Sequence, residues 1–307
     1  MPYIHKTPVF TNATFDKLIG RNAFFKAENL QKTGSFKARG ALNAVMSLRE
    51  RNANAAGVVT HSTGNHGQAL AWAAQTVGLK CAVIVPWDTP QVKKDAITSY
   101  GAELVLCEPT PKSRQETCQR VAEEQGLEFV PPFDHHDVIA GQGTIGMELL
   151  KQAPDLDAIL VPVSGGGMAS GIAIAAKAMK PDIKIYLVEA EGKMCEKSLR
   201  AGERLWPNPP QFVDTIADAI RTQQLGNMTW PILLKYAEKD VFTISDADMI
   251  KGMKFAFERM KLVIEAASGA AVVAAMSDKL AAMDKDMKNI GVILCGGNVD
   301  IDKLPWY

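Results

Sequence analysis

Three short segments of the chain carry groups that together suit chemistry on an aldehyde bearing a phosphate. The first is Ser35-Phe36-Lys37, in which the lysine amine can bond covalently to an aldehyde. The second, Ser62-Thr63-Gly64-Asn65-His66-Gly67, is a polar turn, and the third, Ser164-Gly165-Gly166-Gly167-Met168, offers backbone amides that no side chain obstructs. Each segment alone is common in proteins. Together they indicate pyridoxal phosphate (PLP) as a cofactor.

Lys37 is predicted to lie at the beginning of a helix. It precedes apolar residues at helical spacing, namely Leu42, Val45 and Leu48. The positive end of a helix dipole disfavours an ammonium group and therefore favours the neutral, nucleophilic amine. An isolated lysine at a helix start is usually an exposed surface charge, so the interpretation of Lys37 depends on the other two segments.

The glycine segment Ser164–Met168 follows a short apolar run and opens an alanine-rich stretch of helical character. Backbone amides at the start of a helix can bind a phosphate group. A strand-to-helix turn without any ligand would have the same pattern, and so would a site for a nucleotide phosphate. The segment lacks the Gly-Lys-Ser/Thr ending of a P-loop, which argues against that kind of nucleotide site.

The elements that must position these segments alternate between strands and helices. Near-continuous apolar runs between helical patterns indicate parallel sheets with helices on both faces. Strands are predicted at 57–60, 81–85, 103–106, 158–161, 183–188 and 290–294. Helices are predicted at 65–78, 90–100, 111–125, 141–152, 168–179, 246–262 and 268–283. The proline-rich segment Trp206–Pro210 is predicted to be a surface loop.

The chain resembles the fold-type II PLP-dependent enzymes, and among them the family of serine racemases and serine/threonine dehydratases. The resemblance extends over essentially the whole chain. It is carried by Gln31-Lys32-Thr33-Gly34-Ser35-Phe36-Lys37, Gly64-Asn65-His66-Gly67-Gln68-Ala69, Gly141-Gln142-Gly143-Thr144 and Gly296-Gly297-Asn298-Val299-Asp300.

The resemblance implies a two-lobe α/β fold, similar to the β subunit of tryptophan synthase, with parallel-rich sheets flanked by helices. We expect a large PLP-binding domain formed by residues 1–56 and 135–307. We expect a small domain that grips the substrate, formed by residues 57–134. The series of strand-helix units from about 57 to 134 agrees with this division.

The resemblance also implies roles for individual residues at the cofactor. Lys37 would carry the cofactor, Phe36 would lie against its ring, and Asn65 would bond its phenolic oxygen. Cys295 would lie beside the pyridine nitrogen, although an inert cysteine at the end of a buried strand would have the same pattern. The phosphate would be held by Ser164, Gly165, Gly166, Gly167 and Met168.

The substrate would be an amino acid held by the polar turn and by Arg114. The substrate-binding residues implied are Ser62, Thr63, Gly64, Asn65, His66 and Arg114. Thr63 stands where serine racemases usually have serine, and its hydroxyl would exchange a proton on the substrate face opposite Lys37. Arg114 would tolerate an acidic substrate.

These roles imply that the chain racemises serine and also removes its β-hydroxyl to give pyruvate and ammonia. A serine/threonine dehydratase with little racemisation is the second hypothesis, favoured by Phe133, Cys295 and the altered sequence near Glu189. An aspartate racemase is the third. A catalytically silent protein that binds a nucleotide or an amino acid is the alternative from another class, and the presence of Lys37 argues against it.

Two further sites are expected from the resemblance. A divalent cation, Mg²⁺ or Ca²⁺, would bind near Glu189, but paired aspartates are missing there and Lys193 adds a competing positive charge. ATP would bind as an activator at the interface of a homodimer. The residues that match its contacts are Lys32, Thr33, Gln68, Tyr100 and Lys261.

The composition of the chain restricts its partners. Its 307 residues contain 34 Lys and Arg and 34 Asp and Glu, so a formal net charge of 0 provides no overall attraction to nucleic acid or to an anionic membrane. The N-terminal segment has no apolar signal core, and five cysteines without CxxC spacing are typical of reduced thiols. We therefore expect a cytoplasmic enzyme whose partners are small molecules and a second subunit.

Overall fold

A computed structural model of the chain describes residues 3–207 and 211–306. The strands are β1 Val9–Phe10, β2 Asn22–Ala27, β3 Gly57–Thr60, β4 Lys80–Pro86, β5 Glu103–Cys107, β6 Glu128–Phe129, β7 Ala158–Pro162, β8 Lys184–Ala190, β9 Phe242–Ile244 and β10 Asn289–Leu294. The α-helices are α1 Ala13–Ile19, α2 Lys37–Arg51, α3 Asn65–Val77, α4 Gln91–Thr98, α5 Pro111–Gln125, α6 His136–Gln152, α7 Gly167–Met179, α8 Cys195–Ala201, α9 Thr229–Tyr236, α10 Asp246–Phe255, α11 Ala266–Met276 and α12 Asp278–Ala281. Within the described residues, no helix is both long and apolar enough to cross a bilayer.

The larger sheet has the strand order β1-β2-β10-β7-β8-β9. β1 is antiparallel to β2, and the other neighbouring strands of this sheet are parallel. In its centre, Ile290 of β10 pairs with Ala23 of β2 on one side and with Ala158 of β7 on the other. β7 is buried along its length, which is typical of parallel strands covered by helices on both faces.

The smaller sheet has the order β5-β4-β3-β6, and its strands are all parallel. Its strands lie between Gly57 and Phe129, inside the span predicted for the small domain. Helices α2 and α3 pack against each other beside this sheet, and their apolar side chains share one hydrophobic cluster with β3 and β4. The division of the chain into two domains stays a prediction.

The predicted strands are confirmed, and several predicted helices have different limits. The helix predicted at 141–152 begins earlier, at His136. The helix predicted at 246–262 is an α-helix only to Phe255 and continues as a π-turn to Met260, after which Lys261 adopts a φ of 59°. The helix predicted at 268–283 is interrupted at Ser277, whose side chain caps the short helix α12.

The proline-rich segment predicted to be a surface loop is only partly described. Trp206 is 8% exposed, and its ring packs edge-on against Trp230 at 5.5 Å between centroids. The prediction of an exposed loop is therefore wrong for Trp206, because its large apolar indole ring packs in the main hydrophobic cluster. Residues 208–210 lie outside the described part of the chain.

A buried network of charges fixes the helix that begins at Lys37. Arg39 is fully buried, and its guanidinium lies 2.7 Å from Glu28 and 2.8 Å from Glu148 of α6. Glu148 also accepts a bond from the ammonium of Lys26 on β2 at 2.7 Å. Removing one partner from such a network leaves a buried charge uncompensated, at a cost of about 3–5 kcal/mol. The network therefore holds α2, α6 and β2 in one arrangement.

Three strands end where the predicted site segments begin. β3 ends before the polar turn, β7 ends before the glycine segment, and β10 ends before Cys295. Ser35 pairs with Gly296 in an isolated bridge, which places the start of α2 beside the end of β10. Ligands of open parallel sheets bind beyond the carboxyl ends of the strands. The topology thus gathers the three segments at one edge of the two sheets.

Candidate active site

The Lys37 amine is the candidate nucleophile, and its residue is partly buried. Lys37 is the first residue of α2, as predicted. Its Nζ donates to the carbonyl of Pro132 at 2.5 Å and lies 5.1 Å from the centre of the Phe36 ring. Burial lowers the pKa of Lys37 to about 8. Near neutral pH, the neutral amine is therefore far more abundant than for an ordinary lysine.

The glycine segment forms a strand-to-helix turn with free amides. β7 ends at Pro162 and α7 begins at Gly167, one residue before the predicted start. Gly166 precedes the helix with a φ of 94°, a region that favours glycine, and no side chain caps the helix there. The first amides of α7 consequently keep the hydrogen-bonding capacity that an anion needs.

The glycines are also required by packing, a reason that the sequence did not reveal. A side chain at Gly165 would overlap the ring of Phe133, and one at Gly166 would lie 2.8 Å from the hydroxyl oxygen of Thr229. The Gly165 carbonyl accepts bonds from the Gly226 amide at 3.0 Å and from the Thr229 hydroxyl at 2.6 Å. The turn is therefore clamped between Phe133 and the segment 226–229.

The polar turn after β3 leads into α3, whose first residue is Asn65. Ser62, Thr63 and Gly64 are partly exposed. A side chain at Gly64 would meet no atom of the described residues within 4 Å, so the turn is open on that side. An open turn at the positive end of a helix is a suitable place for a carboxylate.

His66 is buried in this turn and is neutral. Its exposed fraction is 1%, and its Nε2 donates to the carbonyl of Val130 at 2.9 Å. Burial lowers the pKa of His66 to about 3, so the ring carries no charge at neutral pH. The ring thus has a structural partner, and the substrate contact implied by the resemblance stays a prediction.

Arg114 lies in the first turn of α5 and is half-buried. Its Nε has no hydrogen-bond partner among the described residues, although the atom is buried. The positive charge of Arg114 is one of the influences that lower the pKa of His61, after burial of that ring. Arg114 is therefore close to the polar end of β3, with donor capacity that remains unused.

A carboxylate that sequence reasoning missed lies at the centre of the site. Glu265 is 8% exposed, and burial raises the pKa of its carboxyl group. It accepts bonds from the Asn65 amide nitrogen at 3.0 and 3.2 Å. The Asn65 oxygen accepts a bond from Asn298 at 2.8 Å. The amide of Asn65, expected to contact the cofactor, thus already has partners within the protein.

Cys295 joins this carboxylate to the start of α2. Its thiol lies 3.4 Å from the Ser268 hydroxyl and 3.7 Å from a Glu265 oxygen. Burial raises the pKa of Cys295 well above its ordinary value, so the thiol stays neutral. Its carbonyl accepts a bond from the Phe36 amide at 3.0 Å. The structure therefore brings Phe36, Lys37, Asn65 and Cys295 together, as the sequence predicted, and adds Glu265 and Ser268.

The chain is similar to known enzymes along its whole length. A family described as "Pyridoxal-phosphate dependent enzyme" matches residues 1–296. The chain belongs to this family. Human serine racemase is 47% identical to this PLP-dependent enzyme over 99% of the chain and 89% of the human protein. A solved PLP-dependent aspartate racemase is 59% identical, with a TM-score of 0.97, and the match covers 100% of this chain and 94% of that one. A solved threonine deaminase from T.th. is 40% identical, with a TM-score of 0.89 and coverage of 98% and 95%.

Family membership confirms the predicted fold class, and the residues present fit PLP. Lys37 offers an amine with a lowered pKa. The uncapped start of α7 offers amides for a phosphate, and Cys295 offers a neutral group for a ring nitrogen. These groups match the aldehyde, the phosphate and the pyridine ring of the cofactor, respectively.

The residues near Glu189 do not fit a divalent metal ion. The Glu189 carboxylate accepts bonds from the Cys195 amide at 3.0 Å and from the Thr243 hydroxyl at 3.2 Å. Within residues 3–207 and 211–306, no group of three or more His, Cys, Asp or Glu side chains is suited to a metal. The expectation of Mg²⁺ or Ca²⁺ at Glu189 is therefore not supported, because Mg²⁺ and Ca²⁺ need several oxygen ligands.

The residues expected to bind ATP lie on several different elements of the chain. Lys32 and Thr33 lie in a short 3-10 turn that contacts α3, the helix carrying Gln68. Tyr100 packs against the hydrophobic cluster of the smaller sheet. The Lys261 ammonium donates to the carbonyl of Glu258 at 2.7 Å. An ATP site formed by these residues, and the homodimer that would complete it, stay predictions.

Proposed function

We propose that this PLP-dependent enzyme is a serine racemase that also acts as a serine/threonine dehydratase. The proposal is carried by the Lys37 amine, which has a lowered pKa and bonds the carbonyl of Pro132. The next residue, Phe133, packs against Gly165 of the glycine segment. The chain is 47% identical to a serine racemase over nearly its full length. The cofactor, when bound, supplies an electron sink that stabilises negative charge at the substrate Cα.

Lys37 is proposed to hold the cofactor and then to move the Cα proton. Burial gives its amine a pKa of about 8, close to the pH at which a general base works best. The Pro132 carbonyl, 2.5 Å from Nζ, orients the amine. The buried carboxyl of Glu265 and the neutral thiol of Cys295 form the wall next to Lys37.

Thr63 is proposed to exchange a proton on the opposite face of the substrate. A threonine hydroxyl is a poor base, so its deprotonated form needs stabilisation. Thr63 lies in the turn that leads into α3, where the positive end of the helix dipole favours negative charge. Protonation by Thr63 after removal of the proton by Lys37 inverts Cα and gives D-serine.

The turn that contains Thr63 is proposed to bind the substrate carboxylate as well. The backbone amides of Ser62, Gly64 and Asn65 lie at the start of α3, and the space beside Gly64 is open. A carboxylate held there would keep Cα between the two proton-transferring groups. Loss of the β-hydroxyl instead of reprotonation would give pyruvate and ammonia, the reaction of a dehydratase.

Aspartate is the second candidate substrate, and a specific observation favours it. The solved PLP-dependent aspartate racemase is 59% identical to this chain over its whole length, which exceeds the identity to human serine racemase. Arg114 has a buried Nε that bonds no other described residue. A β-carboxylate would use this donor, whereas a serine hydroxyl would use it less well.

ATP is proposed as an activator of a homodimer. The proposal is supported by the position of Thr33, whose carbonyl accepts a bond from Asn298, which in turn bonds Asn65 of the candidate site. A nucleotide that contacts Lys32 or Thr33 would therefore act close to the residues that hold Glu265. Activity with and without ATP, together with light scattering of the holoenzyme, tests both parts.

The experiment that tests the proposed function compares four substrates. The holoenzyme is incubated with L-serine, D-serine, L-threonine and L-aspartate, and each reaction is followed by chiral chromatography and by detection of 2-oxo acids. We expect interconversion of the serine enantiomers with release of pyruvate, and no reaction with Lys37→Ala. Racemisation of aspartate without that of serine would replace the first candidate by the second. Formation of 2-oxo acids without any D-amino acid would indicate a dehydratase.

A further inference from the structure

The ammonium of Lys193 lies in a cage of backbone carbonyls next to the glycine segment. Lys193 follows β8 and is 7% exposed. Its Nζ donates to the carbonyl of Val163 at 2.9 Å and to that of Thr222 at 2.7 Å. Longer contacts reach the carbonyls of Ser164 at 3.3 Å and Ile220 at 3.4 Å. A buried charge is thus surrounded by the oxygen atoms of two separate segments.

These carbonyls, and no carboxylate, provide the direct partners of the ammonium. No ion pair of Lys193 occurs within 4.0 Å among the described side chains. The Glu189 carboxylate accepts bonds from the Cys195 amide and the Thr243 hydroxyl instead. Carbonyl oxygens that replace the water shell of a cation are the usual way in which proteins bind a desolvated alkali ion. The Lys193 ammonium has the surroundings of such an ion.

The ammonium of Lys193 links the start of the glycine segment to residues 220–222. Two of the carbonyls belong to Val163 and Ser164, which immediately precede Gly165 in the chain. The other carbonyls belong to residues 220–222, which lead to Gly226 and Thr229, the residues that bond the Gly165 carbonyl. The ammonium therefore connects both segments that determine where the amides of the glycine segment point.

We propose that Lys193 is a positioning residue, a built-in cation that holds the glycine segment in the shape that binds the cofactor phosphate. The inference rests on the proposed cofactor site and deepens it. A covalently attached cation would make this site independent of added metal. It would also explain why the residues around Glu189 do not form a divalent site.

The dimensions of the cage indicate which free cation could replace the ammonium. Oxygen atoms at 2.7 to 3.4 Å suit ammonium or potassium, whereas Mg²⁺ requires ligands at about 2.0–2.1 Å. Burial lowers the pKa of Lys193 to about 8, which leaves the charged form predominant at neutral pH. Truncation of the side chain is therefore expected to produce a site that depends on monovalent cations.

The test compares Lys193→Met and Lys193→Ala with the parent chain and with Lys26→Met. Lys26 is a second buried ammonium, but its hydrogen bonds go to Thr7, Glu148 and Gln152 and to none of residues 163–168. The dissociation constant of PLP and the Tm of the apoprotein are measured in sodium, potassium and ammonium chloride at equal ionic strength. Neither readout requires turnover of serine.

We expect Lys193→Met to raise the dissociation constant of PLP by roughly tenfold or more, because the carbonyls of Val163 and Thr222 lose the donor that holds the glycine segment in place. Lys193→Ala should regain affinity in ammonium or potassium relative to sodium. Lys26→Met should lower the Tm, and any loss of PLP affinity that follows from the weakened network around α2 should be the same in all three salts. The parent should respond equally to the three salts.

Two results would overturn the inference. One is a PLP affinity of Lys193→Met or Lys193→Ala equal to that of the parent in all salts. The other is a parent whose PLP affinity rises strongly with potassium, because the cage would then accept an ion beside the lysine. The parent measurement decides the question even if the methionine variant does not fold. Absence of serine racemisation with the expected cation effects would contradict only the proposed function.

Discussion

Replacement of Gly166 by alanine should damage the phosphate site more than the rest of the fold. Gly166 has a φ of 94°, and a left-handed backbone costs a residue with a side chain about 1–2 kcal/mol. The added Cβ would also lie 2.8 Å from the Thr229 hydroxyl oxygen and 3.0 Å from Leu233, both buried. Such overpacking typically costs about 1–3 kcal/mol. The total loss of unfolding free energy is therefore about 2–5 kcal/mol.

The overlap can be relieved only by movement of Thr229 or of the start of α7, and either movement displaces the amides of the glycine segment. A loss of about 1.4 kcal/mol in binding raises a dissociation constant tenfold, and we expect at least that effect on PLP. Gly202→Ala is the matched control, because Gly202 has a φ of 74° and a side chain there would meet no described atom within 4 Å. It should lower the Tm slightly and leave PLP affinity unchanged.

The assay is a titration of each apoprotein with PLP, combined with thermal unfolding without PLP. Unchanged PLP affinity in Gly166→Ala, with a lowered Tm, would show that the phosphate binds elsewhere and would refute the role of the glycine segment. Gly166→Asp adds a negative charge and should weaken binding further.

Three other predictions follow from the candidate site. Thr63→Ala should abolish serine racemisation and elimination from D-serine but spare much of the elimination from L-serine, whereas Thr63→Ser should keep racemisation. Chiral chromatography with pyruvate detection measures racemisation and elimination separately. Racemisation by Thr63→Ala at the parent rate would contradict the two-base assignment. The rate at which the apoprotein captures PLP should rise with pH through about 8, the pKa of Lys37, and a midpoint near 10.5 would show that this amine is not desolvated. Burial raises the pKa of Glu265 above its ordinary 4.5, so the stability that its protonated form contributes is lost as pH rises through the folded value. Glu265→Gln should therefore gain Tm relative to the parent as pH rises above 4.5, and a difference that does not change with pH would contradict this.

The sequence predicted β3, β4, β5, β7, β8 and β10, because buried parallel strands are continuous apolar runs, which local composition displays. It did not predict the short strands β1, β6 and β9. It also missed β2, since Asn22–Ala27 contains Lys26, a buried charge whose partners Glu148 and Gln152 lie 122 and 126 residues away. It also missed the π-turn before Lys261, because apolar spacing does not show where a helix changes its hydrogen-bonding pattern.

The candidate site was predictable where a motif is local and not where partners come from distant segments. Lys37 and the turn at Gly166 lie within short motifs, so their positions followed from the sequence. Glu265 bonds Asn65 across 200 residues, and Asn65 bonds Asn298 across 233. A single carboxylate within an apolar stretch is a signal of a buried acid, but its partners are determined by tertiary packing.

The measurement that tests the central claim most directly is turnover of L-serine by the holoenzyme in deuterium oxide, followed by chiral separation and mass analysis of the serine. The account predicts D-serine that carries one deuterium at Cα, because Lys37 removes the proton on one face and Thr63 delivers another on the opposite face. Lys37→Ala should form none. Pyruvate without D-serine, or D-serine that retains its original proton, would contradict racemisation by these two groups.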